Sequence, residues 1–240
     1  MKQTLKRYFY IFEMSDLVTL EGREHHHLAN VVRSKVGEHV ILFNGDNYDY
    51  EYQITAITRD SATLRYAGRA KNKANPTAHV SVFLGLIKPD NLGLVVEKLN
   101  ELGVGNLYLF TTERTNTNAK SVNVDKLQMI ANQSCKQCGR STPLLVKPII
   151  TFEKMLVGTK HFDQVFYADR GERRDKLFLQ TLDKDQNVAI IIGPEGGMSL
   201  EENLAITQNA EPITLGTRTL RSETAAIVAS TIVLHKLGEI

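Results

Sequence analysis

The chain has 240 residues, 42% of them hydrophobic and 23% charged, with a net charge of +2. This is ordinary globular composition, enough for one or two domains with a sizeable core, and it carries no repeat and no low-complexity tract. Two cysteines, Cys135 and Cys138, are too few for a disulfide framework and fit a reducing cytosol. Near the N-terminus Lys6-Arg7 is followed by five aromatic or apolar residues and then by charge, which is not a signal-peptide pattern. No apolar run approaches the roughly 18 residues of a membrane span, so a cytoplasmic protein with no membrane partner is expected. Residues 1–75 carry 11 basic and 9 acidic side chains and the remainder is balanced. So small an excess is compatible with a nucleic-acid footprint and equally with a solvated surface.

Residues 1 to about 70 read as β-rich. Short β-branched and aromatic runs at 7–12, 38–43, 48–57 and 62–66 are strand candidates, and Asn44-Gly45-Asp46-Asn47 is a hairpin turn between two of them. One helical patch, residues 27–32, interrupts them, and strands this short and closely spaced fit a small barrel. Residues 69–76 are polar, end at Pro76 and read as a linker. Strands and helices then alternate: strands at 80–87, 106–110, 144–149, 164–167 and 188–192, helices at 90–102, 124–138, 199–208 and 222–237. This pattern predicts a mostly parallel sheet covered on both faces. The run Val188-Ala189-Ile190-Ile191-Ile192 is apolar without alternation, as a strand buried on both sides should be.

Two segments stand out, each a strand followed by a tight loop and a helix start. In Gly193-Pro194-Glu195-Gly196-Gly197 the glycines allow close backbone approach to a ligand, and Ser199 with Glu202 has capping-box spacing. A plain strand-to-helix turn would look much the same. The loop lacks Gly-Lys-Ser/Thr and G-x-G-x-x-G, so it is neither a P-loop nor the usual dinucleotide fingerprint. The second segment, Leu215 to Ala226, repeats the layout, with Gly216 in the loop, Ser222 as an N-cap and Glu223 in the first helical turn. Arg218 and Arg221 are cations suited to phosphate or carboxylate, or ordinary surface arginines. Ligands of open α/β sheets bind beyond the carboxyl ends of the strands, so both loops belong to one expected pocket. Gly103-Val104-Gly105 follows a helix and reads as a C-cap. Cys135-x-x-Cys138 has no second pair, and His25-His26-His27 lacks a partner at ligand spacing, so no metal is expected.

Taken together, these residues resemble the SPOUT superfamily of methyltransferases and, more narrowly, the 16S ribosomal RNA (uracil-N3)-methyltransferase family. The resemblance covers nearly the whole chain. It runs through Arg7, His26-His27-Leu28, Val32-Arg33, Gly37, Lys98, Glu101 to Val104, Glu113-Arg114, Gln137, Gly139-Arg140, Pro143, both loops and Glu223-Thr224-Ala225. It implies an α/β protein with a PUA-like RNA-binding β-barrel at 1–72 and a SPOUT domain with a trefoil knot at 76–240. It further implies S-adenosylmethionine as methyl donor, a homodimer, and the small ribosomal subunit as target. The donor site carries over to Gly193, Pro194, Glu195, Gly196, Gly197, Leu215, Gly216 and Leu220, with Ala168 as a further wall. Met198 stands where an aromatic residue is common, Thr219 where an aliphatic is usual, and residues 133–136 depart from the family's Glu and Ala.

Uracil N3 carries a proton and lies on the Watson–Crick edge, so the base must be unpaired and a cation near O2 or O4 would stabilise the developing anion. Arg140, Arg218 and Arg221 are the candidates, each with phosphate binding as its alternative role. Glu195 or Glu223 could take the proton, or act as a loop brace or cap. Arg7, Arg33 and Lys35 are candidates for RNA phosphates. The competing readings are a non-catalytic RNA-binding or ribosome-assembly protein of the same fold, and a relative acting on tRNA or a ribose hydroxyl.

Overall fold

The computed structural model describes residues 5–169, Asp175–Lys176 and 181–240. It divides into two units: the chain up to Asn75 together with Asn132–Pro143, and Pro76–Ala131 together with Leu144–Ile240.

In the first unit, five strands form one mixed sheet. They are β1 (Lys6–Phe9), β2 (Leu17–Glu21), β3 (His39–Phe43), β4 (Tyr48–Ile57) and β5 (Ser61–Lys71), in spatial order β1-β3-β4-β5-β2. β1 runs parallel to β3 and the other pairs are antiparallel. The expected barrel is a half-barrel here, with no pairing of β1 to β2 among the described residues. Two register shifts between β4 and β5 act as bulges, which increase twist and curl a long ribbon. Alternate residues from all five strands, including Tyr8, Val18, Leu42, Tyr52 and Leu64, form a single core. β2 is absent from the sequence reading, although Val18 and Leu20 are buried between exposed neighbours in the alternation that marks a strand. After β2, α1 (Gly22–His26) passes into a π-helical turn over His27–Val32 that ends on Arg33, at φ 59°. The turn expected at 44–47 holds Gly45 and Asn47 at positive φ.

The expected linker at 69–76 is shorter than its composition suggests. β5 continues to Lys71, paired with Tyr48, and Asn72 is buried with its amide on Asp49 and on the Gly139 carbonyl. Asn75 accepts from the amides of Ser141 and Thr142. Residues 132–143, which the sequence division leaves in the second domain, thus fold with the first unit. Arg7 pairs with both oxygens of Asp49 at 2.8 and 2.7 Å and donates to the Arg140 carbonyl, and Lys136 meets both oxygens of Glu24 at 2.6 Å.

The second unit is a parallel sheet with helices on both faces. Its elements are β6 (His79–Gly85), α2 (Pro89–Leu102), β7 (Asn106–Phe110), α3 (Val124–Cys138, shared between the units), β8 (Leu145–Val146), α4 (Phe152–Thr159), β9 (Gln164–Ala168), β10 (Asp175–Lys176), β11 (Asn187–Ile192), α5 (Leu200–Ile206), β12 (Glu211–Thr214) and α6 (Ser222–Lys236). The spatial order is β10-β12-β9-β11-β6-β7-β8 and every pair is parallel. β11 lies centrally, with Val188 to Ile192 all buried. Full burial of an isoleucine or valine side chain stabilises by about 1.5–3 kcal/mol, so this apolar strand anchors the sheet. α2 ends where expected, on Gly103 at φ 109°. The strand expected at 144–149 is reduced to two residues and an isolated bridge at Ile150, because Pro148 has no amide to give. α4 is missing from the sequence reading; it spans eight residues, includes Gly158, and starts on Thr151, whose side chain accepts from the Lys154 amide.

Candidate functional site

The carboxyl ends of β9, β11 and β12 lie side by side, and the loops leaving them enclose a cavity of about 360 Å³. Small-molecule sites span about 300–1,000 Å³. The cavity is lined by Ala168 and Asp169 at the end of β9, the Gly193–Met198 loop after β11, and the Leu215–Leu220 loop after β12, closed by Arg114, Asn203, Ser222 and Ala225.

The first loop is fixed by backbone packing. Gly197, at φ +71°, donates to the Pro194 carbonyl at 2.9 Å and closes a tight turn. Gly85, at the end of β6, lies against Pro194: a Cβ there would meet Pro194 Cδ at 2.4 Å and the Pro194 nitrogen at 2.5 Å. A Cβ on Gly196 would meet the Arg114 carbonyl oxygen at 2.7 Å. The helix that follows begins with the expected capping box, in which the Ser199 amide donates to Glu202 Oε2 and the Glu202 amide to Ser199 Oγ. Glu202 Oε1 also accepts from the Glu113 amide at 2.9 Å, tying the 113–114 segment to the same turn. The Tyr167 hydroxyl donates to Asn203. Glu195, exposed, accepts from the Lys88 amide at 3.2 Å.

In the second loop the Gly216 amide donates to Thr214 Oγ1 at 3.3 Å, and Thr214 Oγ1 donates to the Gly216 carbonyl. Gly216 sits at φ +126°, which suits glycine alone. The N-cap of α6 is Arg221, not Ser222; Ser222 is buried inside the first turn. The Arg221 side chain is 84% exposed, with Nη1 4.0 Å from Glu223 Oε1. Glu223 is buried, receives the Asn91 side-chain amide on Oε1 at 3.4 Å, and has no partner on Oε2 among the described residues.

All nine residues expected at the donor site, Ala168, Gly193, Pro194, Glu195, Gly196, Gly197, Leu215, Gly216 and Leu220, line this one cavity. Of the four expected catalytic residues only Arg218 is among the lining, exposed at the rim. Arg221 and Glu223 sit at the start of α6 beside it, and Arg140 belongs to the first unit. Arg140 is 3% exposed, and burial lowers its guanidinium pKa from the ordinary arginine value. Arg33 and Lys35 are exposed, whereas Arg7 is committed to Asp49 and lies over the Phe43 ring. Sequence reasoning passed over Arg114, Asp169 and Gly85. Gly85 is invisible to pattern because it lies inside the expected strand at 80–87 with no turn signal beside it; Arg114 belongs to the family resemblance and carried no role. Among the described residues no three His, Cys, Asp or Glu side chains gather as a metal site.

A parallel sheet with a glycine-lined cavity at its strand ends defines a class of α/β proteins that bind a small molecule there. The comparisons narrow it. The RNA methyltransferase domain matches residues 73–234, and the RNA methyltransferase PUA domain residues 20–65. The ribosomal RNA small subunit methyltransferase E of Rickettsia conorii is 30% identical over 208 residues, covering 85% of this chain and 83% of its own. The protein of the same name from Bacillus subtilis is 24% identical, covering 93% and 92%. A methyltransferase from Legionella pneumophila, solved with bound S-adenosylmethionine, superposes with a TM-score of 0.88 at 25% identity, covering 97% of this chain and 98% of its own. The chain belongs to the RNA methyltransferase family and is a two-part protein of PUA and α/β methyltransferase domains.

Proposed function

We propose that this chain transfers a methyl group from S-adenosylmethionine to N3 of a uridine in 16S ribosomal RNA of the small subunit. The observation that carries the reading is the convergence of the nine expected donor-site residues on one cavity at the strand ends. The lining fits the donor chemically. Ile192, Pro194, Met198, Leu215, Leu220 and Ala225 offer apolar surface for a base, the glycine loops offer close backbone, and Asp169 and Glu195 offer carboxylates to a cation. When bound, S-adenosylmethionine supplies an electrophilic methyl on a sulfonium; the protein supplies binding, orientation and electrostatics.

Arg218, with Arg221 and Arg140 as the other candidates, stabilises negative charge on the uracil oxygens as the N3 proton leaves. Glu195, exposed at the rim, is better placed than Glu223 to take that proton, because Glu223 is buried, with Oε2 enclosed and Oε1 taken by the Asn91 side-chain amide. Arg33 and Lys35 contact RNA phosphates. Arg7 reaches a phosphate only by giving up Asp49, and braces the sheet instead. The chain acts as a cytoplasmic homodimer, with its second unit knotted as in the family it resembles.

The test is to incubate the purified protein with small ribosomal subunits and methyl-labelled S-adenosylmethionine, digest the RNA and identify the labelled nucleoside. Labelled 3-methyluridine is expected. Label on another nucleoside, or on tRNA alone, overturns the substrate assignment, and donor binding without any label overturns the activity.

A further inference from the structure

The two cavity loops leave different strands and, among the described residues, do not hydrogen-bond to one another, yet both are tied to a third place. That place is the connection from β6 to α2, residues 85–91. Gly85 takes Pro194 of the first loop at a distance no side chain would permit. Three residues on, the Lys88 amide donates to Glu195 of the same loop at 3.2 Å. Lys88 is the N-cap of α2, at φ −55° and ψ 137°, so its amide is one that the helix itself does not use. In the first turn of α2, Asn91 Nδ2 donates to Glu223 at 3.4 Å. Glu223 stands in the first turn of α6, two residues after the second loop ends at Arg221. The Glu223 carboxylate is buried, Asn91 is its one close hydrogen-bond donor among the described residues, and the neighbouring Arg221 guanidinium is mostly in solvent at 4.0 Å.

We infer that residues 85–91 are the common footing of both cavity loops, with the Lys88 amide and the Asn91 side chain as positioning groups. Neither group lines the cavity. They act through Glu195 and Glu223, each of which would otherwise lose a donor where the loop must keep its shape. The inference deepens the methyl-donor reading and rests on it for what the cavity binds. It predicts that the two loops loosen together when the footing is disturbed, although they lie about 20 residues apart in sequence.

The variant Asn91→Ala separates this from a local role. Backbone hydrogen exchange of the free protein is expected to accelerate in both 193–198 and 215–221. The dissociation constant for S-adenosylhomocysteine, read by calorimetry, is expected to rise about tenfold, the effect of losing one hydrogen bond to a charged group. Leu94→Ala, on the exposed side of α2, is the control and should change neither. Asn91→Asp sets two carboxylates face to face and should be worse than Asn91→Ala. Adding Glu223→Gln restores a donor and should recover affinity and protection, a rescue that a mere packing defect would not show. Faster exchange confined to 88–92 with unchanged affinity overturns the inference, and so does failure of Glu223→Gln to rescue Asn91→Asp. If the unaltered protein does not bind S-adenosylhomocysteine while Asn91→Ala still loosens both loops, the donor reading fails and the footing stands.

Discussion

The two units use side chains in opposite ways. In the first, charged and amide groups are turned on the protein itself: Arg7 on Asp49, Lys136 on Glu24, Asn72 on Asp49 and the Gly139 carbonyl. In the second, the cavity owes its shape to side chains that are missing, since Gly85 and Gly196 admit Pro194 and the Arg114 carbonyl where a methyl would collide. The same residue type therefore means different things in the two units. Arg7 is a brace, whereas Arg218 lines the cavity and Arg221 stands beside it, both exposed. An arginine reads as functional only once its partner is known.

The sharpest way to break this comparison is at Gly85. Gly85→Ala places a methyl about 2.4 Å from Pro194, and both partners are in a tightly packed backbone crossing. It is expected to cost about 3 kcal/mol or more of stability, beyond the usual overpacking range, and to abolish S-adenosylhomocysteine binding. Retained affinity in a calorimetric titration would show that the first loop is not set by this approach. Next comes Arg7→Ala, which leaves Asp49 half-enclosed with Asn72 alone. Urea unfolding is expected to show a loss of about 2–3 kcal/mol, below the full penalty for a buried pair because Asp49 keeps some solvent. RNA affinity lost without any stability change would return Arg7 to the phosphate-binding set.

A smaller effect appears in alkaline solution. Burial pushes both the Tyr52 and the Tyr8 phenols up to about 12. The folded state thus favours the protonated form. This contribution is whole below the ordinary tyrosine value of about 10 and is lost as pH rises through 12. Tyr52→Phe should flatten part of the stability decline between those values, measured by denaturant midpoints across the range. An unchanged slope would place the loss elsewhere. The smallest effect is at Arg33, a non-glycine residue at φ 59°. Arg33→Gly should stabilise by up to about 1 kcal/mol by relieving that backbone, while weakening RNA binding and flattening its salt dependence. Stabilisation with unaltered RNA affinity would leave Arg33 with a local role only.

Much of the second unit was legible in the sequence. Residues 106–110 and 124–138 match the observed elements to the residue, because long 3.6-residue periodicity and an unbroken apolar run between turn residues admit few alternatives. The capping box at Ser199 was readable for the same reason, as a spacing fixed by helix geometry. The elements that escaped are short. β2 has two buried residues, α4 has eight residues in all, and the strand near Pro148 failed on a single missing amide. At the site, the glycine loops announced themselves by composition. The contacts that hold them did not, since a Lys88 amide or an Asn91 side chain is indistinguishable in sequence from any helix start. The fate of Arg7 turned on Asp49, 42 residues away, and no local signal carries that.

The return of residues 132–143 to the first unit bears on how the chain can be divided. A fragment ending at Asn75 would keep all five strands but lose the partners of Glu24, the carbonyls that Asn72 and Arg7 address, and the amides that Asn75 receives. No single cut separates the two units, because the chain enters the first, leaves it, comes back and leaves again. On a ribosome, the first unit stays incomplete until residue 143 has emerged, by which time β6, α2, β7 and all of α3 are already exposed. The N-terminal sheet therefore cannot mature as an independent module ahead of its neighbour, and exchanging it between relatives requires carrying residues 132–143 along.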